Sequence, residues 1–326
     1  MNADRAVSSP YPSNAPRVLV VAGMHRSGTS LIANWLSRCG LNVGDELLQG
    51  KTDNPAGHYE DLSFLHLHQD ILRENSLDHL VVGHQTIMIP EKHRIQAQTL
   101  IDAKQTCAQW GWKDPRTALF LDFWHSLLPD MKMLVVYRPY ALVADSLLRR
   151  EYKRSLRTKH HTRWQRRLLN SRRAPWIRRI PLFLPIFGAG EYRIRTRLER
   201  LRCSFLNVRL LRRYLQVWVR YNNDILAAVA AHPDQALVAH IDDLFLLSNQ
   251  VIDFLNREWG FSLRAAAVED VYAEGMLRTQ PMRFRGWLCS LLVPACQSAH
   301  AELTSRRAQT QQKLLYSQPS NEGTAQ

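Results

Sequence analysis

The fold of this chain is decided near its amino end, where residues 17–31 read RVLVVAGMHRSGTSL. The β-branched run from Val18 to Val21 predicts a buried strand, and apolar residues at helical spacing from Leu31 to Leu36 predict a helix. A glycine-bounded turn between a strand and a helix presents backbone N–H groups and the positive end of the helix dipole to an anion. The sequence therefore predicts a phosphate-binding loop here.

The loop departs from that of a nucleotide hydrolase. Gly23 and Gly28 bracket four residues, the spacing of a P-loop, but Thr29 stands where the phosphate-binding Lys would follow the second glycine. The cation lies inside the loop instead, at Arg26. This arrangement disfavours ATP or GTP hydrolysis and indicates a phosphate ligand that needs neither Mg²⁺ nor a γ-phosphate clamp; no metal is expected.

A second strand end carries a matching pair of residues. The apolar run 133–137 predicts a strand that ends at Arg138 and Pro139, and Ser146 lies eight residues further on, two helical turns into the next segment. The planar guanidinium of Arg138 suits a phosphate, and Ser146 adds a hydroxyl donor.

Together these residues resemble the signature of the sulfotransferases that use 3′-phosphoadenosine 5′-phosphosulfate (PAPS). The loop resembles their 5′-phosphosulfate loop, a Lys or Arg followed by Ser-Gly-Thr-Thr/Ser, and the spaced Arg and Ser resemble their 3′-phosphate site. The resemblance implies PAPS as cosubstrate, and it implies that the residues binding it are His25, Arg26, Ser27, Gly28, Thr29, Ser30, Arg138 and Ser146.

Further stretches resemble the bacterial branch of that family, so that the likeness runs from residue 17 to about 260, with a break in the middle. They are 54–61 (NPAGHYED), 112–116 (WKDPR), Trp218 with Tyr221 and Asn222, and the predicted strand in 236–244. The implied fold is an α/β, P-loop NTPase-like three-layer sandwich, a central parallel sheet flanked by helices. The Gly-x-x-Gly-x-x-Lys motif of the cytosolic small-molecule enzymes is missing, so adenine recognition is unassigned.

Sulfuryl transfer requires a cation at the bridging oxygen of the departing 3′,5′-bisphosphate. Arg26 is the first candidate, and Lys113, in a Lys-Asp-Pro-Arg stretch at a predicted strand end, is the second. Arg116 either joins the site or forms a structural pair with Asp114.

The general base has several candidates. Glu60 lies in a Gly-x-x-Glu turn that resembles the catalytic-glutamate region of glycan and tyrosyl sulfotransferases, although it could instead cap a predicted helix over 61–72. His58 is its rival, since the pKa of a histidine suits neutral pH. Glu46 and His84 remain further alternatives.

Positive charge is concentrated in one segment. Residues 149–213 carry 21 of the 43 Lys and Arg residues and only three acidic residues. This composition predicts a basic helical insertion. Two interpretations are open: contact with an anionic membrane surface or an acidic acceptor, or a solvated basic lid or partly disordered segment. Its apolar stretch 180–190 is far shorter than the ~20 residues that span a bilayer. Nucleic acid is not an expected partner, because no nucleic-acid module is recognisable.

The rest of the composition indicates one enzyme-sized unit. Residues 1–16, rich in Pro and Ser, are expected to be a disordered lead, 17–304 a single domain with the insertion, and 305–326 a flexible tail. Five widely spaced cysteines indicate a reducing compartment. The expected location is cytoplasmic, with peripheral contact at the inner membrane surface as an option.

The sequence thus predicts a PAPS-dependent sulfotransferase that acts on a hydroxyl or amine, with carbohydrates or glycolipids as expected acceptors. One alternative is a non-catalytic phosphate-binding or basic membrane-associated module. A small-molecule kinase is the weaker alternative, because the P-loop Lys is absent.

Overall fold

Four parallel strands form the central sheet of the computed structural model, which describes residues 16–48, 57–157, 197–271 and 283–316. The strands are β1 (Arg17–Ala22), β2 (Gln109–Trp112), β3 (Lys132–Tyr137) and β4 (Ala236–His240), and their order in the sheet is β2-β1-β3-β4. In register, Val20 pairs with Trp112 on one side and with Met133 on the other. The strands predicted over 18–21 and 133–137 are confirmed, each extended by one or two residues.

Helices cover both faces of this sheet, because its strands are apolar on both faces, as parallel strands usually are. Along β1 the side chains of Val18 and Val20 pack into one core and those of Leu19 and Val21 into the other. The helices are α1 (Thr29–Arg38), α2 (Leu62–Glu74), α3 (Glu91–Asp102), α4 (Leu121–Leu127), α5 (Tyr140–Arg157), α6 (Arg197–Ala231), α7 (Ile241–Leu246), α8 (Ser248–Trp259), α9 (Arg283–Leu292) and α10 (Ala295–Tyr316). The short 3₁₀ helices within the described residues are Pro115–Leu119, Pro233–Gln235 and Val268–Val271. The predicted three-layer α/β sandwich is confirmed.

The strand order places the candidate residues at one edge. Because all four strands are parallel, the loops that follow them leave from the same side of the sheet. The chain moves from β1 to one neighbour, β2, and then crosses to the other neighbour, β3, so the strand order reverses beside β1. Ligands of open parallel sheets bind at the carboxyl ends of the strands next to such a reversal.

The carboxyl-terminal region differs from expectation. Residues 305–316 belong to helix α10 and not to a flexible tail, and Thr310 and Leu314 are buried there. The backbone N–H of Val238 in the edge strand β4 donates to Thr310 Oγ1 at 2.9 Å. The tail prediction was wrong for this stretch because α10 is weakly amphipathic, and its few buried residues are hidden in a polar sequence rich in Gln, Ser and Thr.

Parts of the predicted domain plan lie outside the described residues. These parts are the lead up to residue 15, the residues after 316 and the middle of the basic insertion, 158–196. The insertion begins and ends within described helices, since α5 runs to Arg157 and α6 starts at Arg197. Among the helices that the structure describes, none combines the length and apolar content needed to cross a membrane.

Candidate functional site

The loop between β1 and α1 packs closely against β3. A Cβ atom on Gly23 would lie 2.3 Å from the carbonyl oxygen of Val136, so only glycine fits there. Gly28 precedes α1 with a φ of 94°, in the left-handed region that glycine adopts without strain. Between the two glycines, the N–H of Ser27 donates to the carbonyl of Met24 at 3.2 Å. The predicted glycine-bounded turn is therefore a tight loop at the amino end of a helix.

The two predicted halves of the phosphate site meet at Arg26. Its Nε donates to Ser146 Oγ at 3.0 Å, across 120 residues of sequence, and its carbonyl accepts from Arg138 Nη1 at 3.4 Å. Arg138 and Ser146 are buried, at 4% and 8% exposure. Arg26 itself has a φ of 71°, which is uncommon for a residue with a Cβ and is often found at functional sites. The loop, the end of β3 and helix α5 thus converge on one residue.

Lys113, just after β2, lies on the other side of the loop. Its buried ammonium donates to Glu60 Oε1 at 2.7 Å, to Ser30 Oγ at 3.0 Å and to the carbonyl of His58 at 3.0 Å. These three acceptors satisfy the three N–H groups of a lysine. Lys113 therefore links the first turn of α1 to the segment that precedes α2.

The four candidates for the general base differ in their burial and in their contacts. Glu60 is 7% exposed and forms the ion pair with Lys113, while His58 is partly exposed and contributes its backbone carbonyl to the same lysine. Glu46 and His84 are exposed. The residue that caps α2 is Asp61, whose side chain accepts from the N–H of Ser63, and not Glu60. The helix-capping alternative for Glu60 was therefore wrong.

Asp114, next to Lys113, is fully buried and holds Arg116 in place. Its Oδ1 accepts from Arg116 Nη1 at 2.8 Å, and its Oδ2 lies 2.7 Å from His68 Nδ1. Burial alone would raise the pKa of Asp114, but the Arg116 guanidinium and the His68 hydrogen bond outweigh burial and hold this pKa well below its usual range. Asp114 is therefore a carboxylate, and of the two alternatives for Arg116 the structure shows the pair with Asp114.

A buried tryptophan fixes the tautomer of His68. Trp124 Nε1 donates to His68 Nε2 at 2.9 Å, and an indole N–H can only donate. The proton of the neutral His68 ring therefore lies on Nδ1, where it faces Asp114. His68 and Trp124 are both fully buried. This chain of contacts runs from the aromatic core to Arg116 at the edge of the site.

A cluster of rings surrounds His25 in the loop. The His25 ring packs edge-on against His79, with centroids 5.2 Å apart, and lies tilted against Tyr221 at 5.8 Å. The Tyr221 hydroxyl donates to the carbonyl of His79 at 2.9 Å. Burial raises the pKa of Tyr221 far above its ordinary value, so this phenol remains protonated.

Sequence reasoning missed three of these residues, His68, Trp124 and His79. His68 lies on the apolar face of α2, where a histidine gives the same pattern as a core residue. His79 follows α2 in an irregular segment and shows no periodic signal. Only the polar environment built by distant residues marks any of them.

No group of three or more His, Cys, Asp or Glu side chains that could hold a metal ion occurs among the described residues.

Comparisons with known proteins give little further information. No protein-family model and no curated protein matches the chain. Among solved structures, the sulfotransferase STF1 from Mycobacterium tuberculosis H37Rv matches with a TM-score of 0.41 and 12% sequence identity, over 86% of this chain and 76% of that chain.

Proposed function

We propose that the protein is a PAPS-dependent sulfotransferase, which transfers a sulfuryl group to a hydroxyl or amine of an acceptor, with carbohydrates and glycolipids as the expected class. One observation carries the proposal: Arg26 Nε contacts Ser146 Oγ at 3.0 Å, while Arg138 Nη1 reaches the Arg26 carbonyl. The two motifs that resemble a 5′-phosphosulfate loop and a 3′-phosphate site are thus joined at the edge of the sheet. A ligand with two phosphate groups suits this pair of sites.

The residues that would hold PAPS fall into two groups. The loop from His25 to Ser30, at the start of α1, offers backbone N–H groups and the positive end of the helix dipole to the 5′-phosphosulfate. Arg138 and Ser146 offer a guanidinium and a hydroxyl to the 3′-phosphate. PAPS supplies an activated sulfuryl group, and the protein orients it and stabilises the charge of the departing bisphosphate.

Two cations are available for that charge. Arg26 remains our first candidate for the bridging oxygen, because it lies inside the loop and Ser146 orients its guanidinium. Lys113 is the second, since its ammonium contacts the hydroxyl of Ser30 in the first turn of α1. Because these side chains are buried or half-buried, their electrostatic effect is larger than it would be in water.

Glu60 is our proposed base. Its carboxylate is bound to Lys113, and any anion that draws the Lys113 ammonium towards itself would leave Glu60 free to take the acceptor proton. We expect Glu60→Gln to abolish sulfuryl transfer while leaving the affinity for 3′-phosphoadenosine 5′-phosphate nearly intact. Turnover at the original rate in this variant would pass the role of base to His58.

Calorimetric titration tests the proposal. The purified chain would be titrated with 3′-phosphoadenosine 5′-phosphate and, separately, with ATP, both without Mg²⁺. We expect binding of the bisphosphate that is at least tenfold tighter than that of ATP. Equal affinities would favour a general phosphate-binding module. Preference for ATP would favour a kinase, and binding to neither, together with binding to anionic lipid vesicles, would favour the membrane-associated alternative.

A further inference from the structure

The ring of His25 contains a buried nitrogen that the described structure leaves unsatisfied. Its Nε2 atom is inaccessible to solvent and has no hydrogen-bond partner among the described residues. Buried polar atoms almost always have a partner, and each exception calls for an explanation. In this case the atom belongs to the loop that is positioned to bind an anion. Among the described residues, no hydrogen-bond acceptor at this nitrogen therefore favours the charged form of the ring.

The charged groups around His25 are mostly cationic. Arg116 and Lys113 face it from the segment after β2, His79 faces it from the segment after α2, and Asp114 opposes them. Tyr221 of α6 contacts the ring as a protonated phenol. The pKa of His25 is lowered well below its ordinary value, first by burial and then by Arg116 and His79. In the ligand-free protein the imidazole is therefore neutral at pH 7.

An anion bound by the loop favours the charged form of the His25 ring over the neutral form. A negative charge on the loop offsets the cations that oppose protonation of the ring, and it therefore favours the charged imidazole. We propose that binding of an oxyanion by the loop brings a proton onto His25, so that the loop takes up its ligand together with a proton. This inference rests on the proposed function for the identity of the natural ligand, a phosphosulfate, but the coupling itself applies to any phosphate- or sulfate-like oxyanion.

The coupling predicts how the affinity of the loop for an anion depends on pH. A group whose pKa is higher in the complex than in the free protein makes binding tighter as the pH falls through the interval between the two pKa values. Each unit of difference corresponds to about a tenfold change in affinity. The affinity for the anion should therefore increase as the pH falls, and the protonation of His25 accounts for this increase.

NMR titration of the histidine C–H signals measures this coupling directly. The His25 signal is identified by its absence from the variant His25→Asn, which keeps a polar side chain that cannot titrate in this range. The pKa of His25 is then measured in the free protein, in saturating sulfate and in saturating 3′-phosphoadenosine 5′-phosphate. Sulfate does not itself titrate between pH 5 and 8, so a change in its presence belongs to the protein.

We expect sulfate or the bisphosphate to raise the pKa of His25 by about one unit or more, and we expect His25→Asn to lose most of the pH dependence of anion affinity. An unchanged pKa with both anions would overturn the inference, whether or not the bisphosphate binds. A raised pKa with sulfate but no preference for the bisphosphate over ATP would support the inference and contradict the proposed function. His232→Asn, which alters a histidine before β4 and outside the loop, is the matched control and should bind anions as the unaltered protein does.

Discussion

At the scale of single residues, the site is organised by two cations with different partners. Arg26 is oriented by a neutral hydroxyl, that of Ser146, whereas Lys113 is neutralised by the Glu60 carboxylate. Any movement of Lys113 towards an anion therefore also changes the environment of Glu60.

Arg138→Ala is expected to weaken the binding of 3′-phosphoadenosine 5′-phosphate. A hydrogen bond to a charged group contributes about 1.5–3 kcal/mol, so the Kd should rise by about 10- to 150-fold. Calorimetry measures the change, with Arg73→Ala as the control, because Arg73 pairs with Asp70 on the exposed side of α2. An unchanged Kd would remove Arg138 from the 3′-phosphate site.

The buried pair of Lys113 and Glu60 predicts a specific pattern of stability. Lys113→Met leaves the Glu60 carboxylate buried without its cation, and Glu60→Leu leaves the Lys113 ammonium without its anion. Each single variant should lose about 3 kcal/mol of unfolding free energy, and the double variant should lose less than either single one, because it buries no unpaired charge. Urea denaturation provides the comparison. Additive losses in the double variant would show that the two side chains are not coupled.

At the scale of elements, the site depends on how closely the loop approaches β3. Gly23 lies where a Cβ atom would meet the Val136 carbonyl at 2.3 Å and the Thr29 methyl carbon at 2.7 Å. The first of these is a backbone atom and cannot rotate away. The absence of a side chain at Gly23 therefore allows the loop to lie beside the end of β3, where Arg138 begins the next segment.

Gly23→Ala is expected to displace the loop. The added methyl group should cost about 1–3 kcal/mol of unfolding free energy and should also weaken binding of the bisphosphate. Gly83→Ala is the matched control, because no atom lies within 4 Å of its Cβ position and its φ of 76° costs only about 1 kcal/mol. Denaturation and calorimetry measure the two effects. Normal bisphosphate affinity in Gly23→Ala would show that the close approach is unrelated to binding.

At the scale of the whole molecule, His25 and the stacked pair of His125 and His232 lie at opposite ends of the strands of the sheet. His25 lies in the loop that follows β1, whereas His125 in α4 and His232 precede β3 and β4 at the opposite edge of the sheet. The rings of His125 and His232 are stacked, with centroids 3.8 Å apart, and neither ring nitrogen of His125 has a hydrogen-bond partner among the described residues. Burial, followed by His232 and Lys132, lowers the pKa of His125 to about 4.

His125 should make the fold sensitive to acid. Its pKa is lower in the folded chain than the ordinary value of 6.5, so the unfolded chain binds the proton more tightly between pH 6.5 and about 4. The contribution of the neutral His125 ring to the free energy of unfolding is therefore fully present above pH 6.5. As the pH drops to 4, the free energy of unfolding should fall by up to about 3 kcal/mol. Urea denaturation at pH 7 and pH 5 measures the loss. His125→Phe should reduce it, and an unchanged pH dependence in that variant would exclude His125 as its source.

The sequence by itself determined the local units that bear the site. The strand, loop and helix over 17–38 and the placement of Ser146 on α5 followed from glycine spacing and apolar periodicity, which act over a few neighbouring residues. The same reasoning was wrong for residues 305–316, whose weak amphipathicity hides a buried helix. Local patterns therefore predicted the elements that bear the site, but not every other helix or the contacts that stabilise the fold.

Only the tertiary structure decided how those units cooperate. The contact between Arg26 and Ser146 spans 120 residues, and that between Lys113 and Glu60 spans 53. Such contacts depend on the strand order β2-β1-β3-β4, which brings the carboxyl ends of distant strands to one edge. Burial at that edge also leaves Nε2 of His25 unsatisfied among the described residues. Local sequence could not predict these features, because the electrostatic environment of each side chain is created by residues far away along the chain.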